Sequence, residues 1–191
     1  MTEQHETPRN KRRLPVYLVS LIGLLGFLLC IIIPFFWNFF PRYRVDGVSM
    51  NPALQPGDLL IISRLAYFSN EPQRGDIIVF DFSGSNPDDY SLKRVVGLPG
   101  EEVTIEQGQL YIDGALLNEP YVADENRSSS EGQWFVPDDS YFVLGDNRAS
   151  SSDSRSWGFL ERDAINGKAI YIFAPASRLG SISSYDYSDL P

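Results

Sequence analysis

A long stretch without any charged residue lies near the N-terminus of this 191-residue chain. It runs from Leu14 to Pro41, and its central part, Val16 to Ile33, is almost continuously apolar. Because a bilayer is crossed by about 20 apolar helical residues, the stretch predicts one membrane-spanning helix. Pro34 is expected to kink the helix or to end its most continuously apolar part. The aromatic residues that follow are typical of a membrane interface: Phe35, Phe36, Trp37, Phe39, Phe40 and Tyr43.

A cleaved signal peptide shares the order of basic residues followed by apolar ones. The apolar run is too long for one, and its flank, Asn38-Phe39-Phe40-Pro41-Arg42, contains no Ala-x-Ala-like site. We therefore expect a retained anchor at 14–41 behind a basic tail at 1–13. By the positive-inside rule the tail is cytoplasmic, and everything after Pro41 lies across the membrane.

The remainder is long enough for one domain with a hydrophobic core. Short apolar or alternating runs bounded by Gly, Pro, Asn and Asp predict strands at 58–65, 76–82, 102–106, 109–113, 141–144 and 168–173. Gln107-Gly108 predicts a hairpin turn. The predicted fold class is mostly β: a compact antiparallel or mixed β domain at 42–175 behind one transmembrane helix. We expect exposed loops at 83–90 and 123–133, and a loose acidic tail at 176–191.

The composition excludes several kinds of chemistry. The one histidine, His5, and the one cysteine, Cys30, precede the β domain, so a Ser-His-Asp, Cys-His or zinc site is not available there. From Arg42 onward, 12 Arg and Lys face 23 Asp and Glu, a net charge of −11, which disfavours nucleic acid as a partner. Catalysis in this domain would have to use Ser, Lys, Asp, Glu, Arg or Tyr.

Two residues are candidates for such chemistry. Ser49 lies in Gly47-Val48-Ser49-Met50-Asn51-Pro52, where the backbone is expected to turn and present the hydroxyl; a serine there is more often only a turn residue. Lys93, one of two lysines in the domain, has apolar neighbours in sequence and could equally be a solvated strand lysine. If it is held against an apolar wall, its pKa falls, and the neutral amine can take a proton from a serine.

A third stretch, Gly145 to Gly158, is rich in small hydroxyls, Asp and Arg and follows a predicted strand. Its composition is also that of a polar surface loop. Paired Asp and Arg side chains of this kind can orient a base and brace the turns around it.

These stretches resemble the motifs of type I signal peptidases (leader peptidases), which are membrane-anchored Ser-Lys endopeptidases. Four motifs occur in the family's order: Ser49-Met50-Asn51-Pro52-Ala53-Leu54, then Arg74 to Phe80, then Lys93 to Gly100, then Gly145 to Gly158. The resemblance implies removal of N-terminal signal peptides from exported preproteins by acyl transfer, with cleavage after small residues at Ala-x-Ala-like sites. It implies no cofactor and no metal.

The resemblance also implies individual roles. Ser49 matches the nucleophile and Lys93 the general base; Ser151 matches the serine that hydrogen-bonds the base amine, and Asp153 and Arg155 the bracing pair. Further supporting or substrate-facing positions are Asp146, Asn147, Met50, Gly47, Leu92 and Ser91. The Ser49 N–H would stabilise the oxyanion.

The sequence departs from the family pattern in three places. Ala53 replaces the usual Thr. Gly47 stands where some members carry a serine that completes the oxyanion hole, so the second donor is unassigned. About 40 residues separate Gly100 from Tyr141, which indicates a near-minimal catalytic core without a large accessory β domain.

Two other functions fit parts of the sequence: an autoprotease or dedicated maturation peptidase of the same Ser-Lys type, and a catalytically silent, membrane-tethered β domain that binds exported proteins. The anchor argues against the first and the intact Ser49 and Lys93 against the second. The expected partners are preproteins and the lipid bilayer, and the expected state is a monomer. The catalytic domain is expected on the extracytoplasmic side: periplasm, cell surface or thylakoid lumen.

Overall fold

The structure, a computed structural model, describes residues 16–81, 90–124, 130–182, 185 and 187. The predicted basic tail at 1–13 lies outside these residues, as do most of the predicted loop at 83–90 and positions 125–129 of the second loop. The chain divides into two compact units, Met1–Asn38 and Phe39–Pro191.

The first unit is built on helix α1, which spans Val16–Phe39 and passes through Pro34 without ending there. Its segment Tyr17–Phe39, 23 residues, is long and apolar enough to cross a membrane. Its large apolar side chains are exposed in the structure, Leu24, Phe27 and Ile31 among them. A helix that is apolar all round is typical of a lipid-facing span.

The second unit is mostly β, as the sequence predicted. Its strands are β1 (Arg42–Arg44), β2 (Leu59–Ser63), β3 (Ile77–Asp81), β4 (Tyr90–Gly97), β5 (Glu102–Glu106), β6 (Gln109–Ile112), β7 (Ala115–Leu116), β8 (Gly132–Phe135), β9 (Ser140–Leu144), β10 (Leu160–Glu161), β11 (Ile165–Ala174) and β12 (Gly180–Ser181). One short helix, α2, spans Ser154–Trp157. Each of the six predicted strands overlaps one of these.

All strand pairs are antiparallel among the described residues, and they form two sheets. The larger has the order β1-β2-β11-β3-β4-β9-β10, with β12 added to β11; the smaller has the order β7-β6-β5-β8. The predicted hairpin at Gln107-Gly108 joins β5 to β6, and both turn residues have positive φ, 51° and 74°. This is the conformation that a two-residue hairpin turn favours.

Gly97 marks a close approach between the two sheets. A Cβ there would lie 2.5 Å from Val103 Cγ2, on the small sheet, and 2.9 Å from Phe142 Cβ, on the large one. Val96, Val103 and Phe142 belong to one buried cluster that spans both sheets. A second cluster, which includes Met50, Leu54 and Leu60, packs beneath the turn after β1.

Two predictions about irregular segments need correction. The predicted loop 123–133 includes the first residues of β8, which pairs with β5. Strand β8 is only four residues long, and it begins with Gly132 and Gln133, which are not typical strand residues, so the sequence pattern did not indicate a strand there. The predicted loose tail after Ala176 instead begins with a 3₁₀ turn at Ala176–Arg178, followed by β12.

The end of the chain also contributes aromatic contacts. The ring of Tyr185 lies 5.0 Å from that of Tyr121 and 5.3 Å from the Arg94 guanidinium, while Tyr187 packs against the cluster that contains Val96. Tyrosine rings bury apolar area even in a segment of polar composition, which explains why composition alone predicted a loose tail.

Candidate active site

Ser49 lies in a turn that is stabilised by backbone hydrogen bonds between its own residues. The N–H of Asn51 donates to the carbonyl of Val48 over 3.1 Å, and the N–H of Leu54 donates to that of Met50 over 2.9 Å. Met50 and Leu54 are fully buried and anchor the turn in the core. The Ser49 side chain is left half-buried at the surface of the turn. Among the described residues, the Ser49 N–H donates to no acceptor.

Lys93 lies in β4 and points at this serine. Its Nζ is 3.2 Å from Ser49 Oγ and donates a second hydrogen bond to the carbonyl of Leu92 over 3.0 Å. The residue is only 6% exposed. Burial lowers the pKa of the Lys93 amine below its ordinary value, although the charges of Asp153 and Asp146 act in the opposite direction.

The two side chains share a cleft of about 200 Å³. The predicted substrate-facing residues Gly47, Met50, Ser91 and Leu92 all line it; the other lining residues are Arg44, Val45, Asp46 and Tyr90. Strand β4 pairs with β3 from Tyr90 to Arg94, but β9 pairs with its other edge only from Arg94 onward. Among the described strands, that edge is therefore unpaired beside Lys93.

The loop that follows β9 packs against the Ser49 turn. The backbone N–H of Asn147 donates to the carbonyl of Ser49 over 2.9 Å, and its side-chain amide lies 3.4 Å from the carbonyl of Val48. Asp153 is completely buried and binds Arg155 through both carboxylate oxygens, at 2.7 and 2.8 Å. The Gly145 N–H also donates to Asp153, over 3.1 Å.

The predicted hydrogen bond between Ser151 and the Lys93 amine is not formed in this structure. The Ser151 Oγ is buried and has no hydrogen-bond partner among the described residues. Its hydroxymethyl group instead packs over the α-carbon of Gly145, beside the Ser49 carbonyl. Ser151 thus lies next to the Ser49 turn but makes no polar contact with the Lys93 amine.

Two buried ion pairs support this loop. Arg94, next to Lys93, binds Asp146 through both carboxylate oxygens at 2.8 and 2.7 Å, and its guanidinium lies 4.1 Å from the Tyr121 ring centroid. Arg148 binds Glu119 and also donates to the Gly145 carbonyl over 2.9 Å.

Our sequence interpretation assigned no role to Arg94, Arg148 or Glu119. For Arg94 the available signal was a charged residue inside a strand with apolar neighbours, which must find a buried partner. Arg148 and Glu119 lie outside the strands, so this signal does not apply to them.

A hydroxyl held against a buried amine, in a cleft beside an open strand edge, is the arrangement of a hydrolase that forms a covalent acyl intermediate without histidine. Among the described residues, no group of three or more His, Cys, Asp or Glu is placed to hold a metal ion.

The comparisons with known proteins agree with this class. The model of the family "Signal peptidase, peptidase S26" matches residues 17–174. A probable signal peptidase I-2 of Synechocystis is 42% identical over 74% of this chain and 66% of its own length. A probable signal peptidase I-1 of the same organism is 37% identical over 93% of this chain and 89% of its own length.

A signal peptidase I of Bacillus licheniformis is 34% identical over 94% of this chain and 98% of its own length. The crystal structure of a signal peptidase I from Enterococcus faecalis is 35% identical, covers 52% of this chain and 97% of its own, and superposes with a TM-score of 0.45.

The chain belongs to the signal peptidase family, peptidase S26. The resemblance found in its four motifs is confirmed, and the predicted class of enzyme, a signal peptidase, is confirmed at the level of the family.

Proposed function

We propose that this chain removes signal peptides from exported preproteins, with Ser49 as nucleophile and Lys93 as general base. The observation that carries the proposal is the 3.2 Å separation of Lys93 Nζ and Ser49 Oγ within a cleft where the amine is buried. A base must lie within hydrogen-bond reach of the proton that it takes, and its pKa must be low enough for it to be neutral. Lys93 meets the first condition, and burial favours the second.

The reaction begins when the neutral Lys93 amine accepts the proton of the Ser49 hydroxyl. Oγ attacks the carbonyl carbon of the scissile peptide, and the Ser49 N–H, which has no other acceptor among the described residues, stabilises the oxyanion. The C–N bond breaks, and Lys93 returns the proton to the leaving amine. Water, activated by the same amine, then attacks the acyl-enzyme and releases Ser49.

The substrate would bind as an added strand. The unpaired edge of β4 from Tyr90 to Lys93 offers backbone groups for β-augmentation, and the segment 44–47 lines the opposite side of the cleft. The cleft is small and is floored by Met50 and Leu92, so it favours short apolar side chains next to the cut bond. This supports cleavage at Ala-x-Ala-like sites.

Helix α1 and the basic residues before it support a proposed membrane arrangement. Its span, Tyr17–Phe39, follows four basic residues in the first 13, Arg9, Lys11, Arg12 and Arg13. The positive-inside rule places this tail in the cytoplasm and the catalytic domain on the extracytoplasmic side of the bilayer, where exported preproteins arrive. We propose a monomer that acts without metal, cofactor or nucleic acid.

Cleavage of a model preprotein by the full chain in detergent tests the proposal. Ser49→Ala and Lys93→Ala should abolish cleavage, and so should Lys93→Arg, because arginine keeps the charge but cannot act as a base. The matched controls are Ser152→Ala, an exposed serine in the neighbouring loop, and Lys168→Arg; both should cleave at the wild-type rate. Cleavage retained by Ser49→Ala or Lys93→Ala would overturn the dyad.

A further inference from the structure

Two negative charges oppose the effect of burial on Lys93. The carboxylates of Asp146 and Asp153, both completely buried, act on it from the loop after β9. Strand β3 places only the apolar Ile78 opposite Lys93. Among the described residues, neither carboxylate forms an ion pair with the amine, although each raises its pKa.

The other charged groups near Lys93 lie on the solvent side of the cleft. Arg44 and Asp46 line it and face each other at 3.6 Å, with side chains 70% and 86% exposed, so water and salt screen them. Tyr90 also lines the cleft. The field at the amine is therefore set mainly by the two buried carboxylates.

Each of these carboxylates is capped by an arginine that binds both of its oxygens. Arg94 approaches Asp146 through Nε and one NH₂ group, at 2.8 and 2.7 Å, and Arg155 approaches Asp153 in the same way, at 2.7 and 2.8 Å. A carboxylate in such a fork acts at a distance as a dipole, and its field falls off faster than that of a single charge.

We propose that Arg94 and Arg155 keep the Lys93 amine free to lose its proton. Arg94 compensates the charge of Asp146, and Arg155 compensates that of Asp153. Without the arginines, each carboxylate would favour the protonated form of the Lys93 amine. The arginines are thus charge-compensating residues that act on the base through their partners, in addition to bracing the loop. The inference rests on the proposed role of Lys93 as base.

Removing one arginine leaves a bare negative charge close to the amine. Asp146 and Asp153 already act on the Lys93 amine through their charge, and an uncompensated opposite charge near a cation raises its pKa by about one unit or more. Only the neutral amine can accept the Ser49 proton. A raised Lys93 pKa therefore shifts the acid limb of the pH-rate profile to higher pH. A purely structural loss would lower the rate at every pH and leave the limb where it is.

The Arg155–Asp153 pair offers the sharper test, since the Arg155 side chain is 10% exposed whereas that of Arg94 is 1%. Arg155→Gln should move the acid limb of kcat/KM up by about one pH unit. Asp153→Asn should shift the acid limb to lower pH, because the positive charge of Arg155 is then no longer compensated by a carboxylate. The double variant should lie between them, and Arg155→Lys should restore most of the wild-type profile.

A direct titration separates this inference from the proposed function. The chain has three lysines, Lys11, Lys93 and Lys168, so ¹³Cε-labelled lysine in the full-length Ser49→Ala enzyme gives a spectrum assignable with Lys11→Arg and Lys168→Arg. The Lys93 pKa should rise in the Arg155→Gln background and fall in the Asp153→Asn background, whether or not the enzyme cleaves anything.

Shifts in opposite directions support the inference. Equal pKa values in all backgrounds, or shifts in the same direction, overturn it. If Arg155→Gln does not fold, as judged by its melting temperature, the Asp153→Asn titration decides alone, and an unchanged or raised Lys93 pKa there overturns the inference. Retained cleavage by Ser49→Ala would instead contradict the proposed function and leave this titration interpretable.

Discussion

The backbone N–H of Asn147 donates a hydrogen bond to the carbonyl oxygen of Ser49 over 2.9 Å. Through this bond the loop that holds the Asp153–Arg155 pair also determines where the Ser49 turn lies. The loop is therefore bonded to the backbone of the same residue whose hydroxyl lies 3.2 Å from Lys93 Nζ.

Gly145→Ala should inactivate the enzyme and lower its stability by about 1–3 kcal/mol. An added Cβ would lie 2.5 Å from the Ser49 carbonyl oxygen and would clash with the Ser151 side chain. Preprotein cleavage and thermal unfolding measure both effects. Gly180→Ala, where no atom lies within 4 Å of the new Cβ, is the matched control and should behave as wild type.

Ser151→Ala should lower the cleavage rate while leaving the melting temperature unchanged or slightly raised. Among the described residues the buried Ser151 hydroxyl has no hydrogen-bond partner, so its removal costs no hydrogen bond there. A loss of kcat of about tenfold or more would show that the hydroxyl is used only when substrate is bound. A fall in melting temperature with unchanged kcat would contradict this expectation and make Ser151 a packing residue.

Lys93→Met should stabilise the fold by about 1 kcal/mol at neutral pH while abolishing activity. Burial lowers the pKa of Lys93 in the folded state, so the unfolded chain binds its proton more tightly and the wild type loses stability at any pH where the lysine is charged. That cost is complete below the folded pKa and disappears as pH rises to the ordinary value of 10.5.

The stability advantage of Lys93→Met should therefore shrink between neutral pH and 10.5, as thermal unfolding of the full chain in detergent at several pH values can show. An advantage that stays constant or grows with pH would contradict the buried, destabilised amine.

Arg178→Met should destabilise the domain by about 1–3 kcal/mol. Arg178 binds the completely buried Asp58 at 2.9 and 3.1 Å and donates to the carbonyl of Ala53 over 2.9 Å, so it ties the end of the Ser49 turn to the residues after β11. Within the part of the chain that the structure describes, its loss leaves the buried Asp58 with the N–H of Gln55 as its one remaining donor.

Arg162→Met is the matched control. The Arg162 and Arg178 side chains are 24% and 25% exposed, but Glu71, the partner of Arg162, is 68% exposed. An exposed ion pair contributes less than about 1 kcal/mol. Equal losses in the two variants would show that burial of the partner is not what matters.

Sequence patterns predicted the parts of this molecule whose signal is local. Alternating and apolar runs located the strands at 58–65, 102–106 and 109–113, and Gln107-Gly108 located a hairpin. The motifs located the turn, the lysine and the loop that the structure brings into one cleft. Each of these features depends on neighbours within a few positions, which a sequence displays directly.

Features that depend on distant partners were not predictable in the same way. Arg94 and Asp146 are separated by 52 positions and Arg148 and Glu119 by 29, and composition does not say which arginine meets which carboxylate. Strand β12 forms because β11 offers it an edge, so its two residues carry no strand pattern of their own. The Ser151 hydroxyl makes no hydrogen bond with Lys93 because its side chain packs at Gly145, and a motif does not specify such side-chain packing.

Nine residues lie between Phe39, where helix α1 ends, and Ser49, and these ten steps along the chain set a maximum reach. Even fully extended, they span only about 35 Å. With α1 as the proposed membrane anchor and Ser49 as the proposed nucleophile, this length limits how far the reacting hydroxyl can lie from the end of the anchor. A substrate anchored in the same membrane meets this hydroxyl at an effective concentration set by lipid area rather than by solution volume. Lengthening this segment should therefore slow the cleavage of membrane-bound preproteins more than that of soluble peptides.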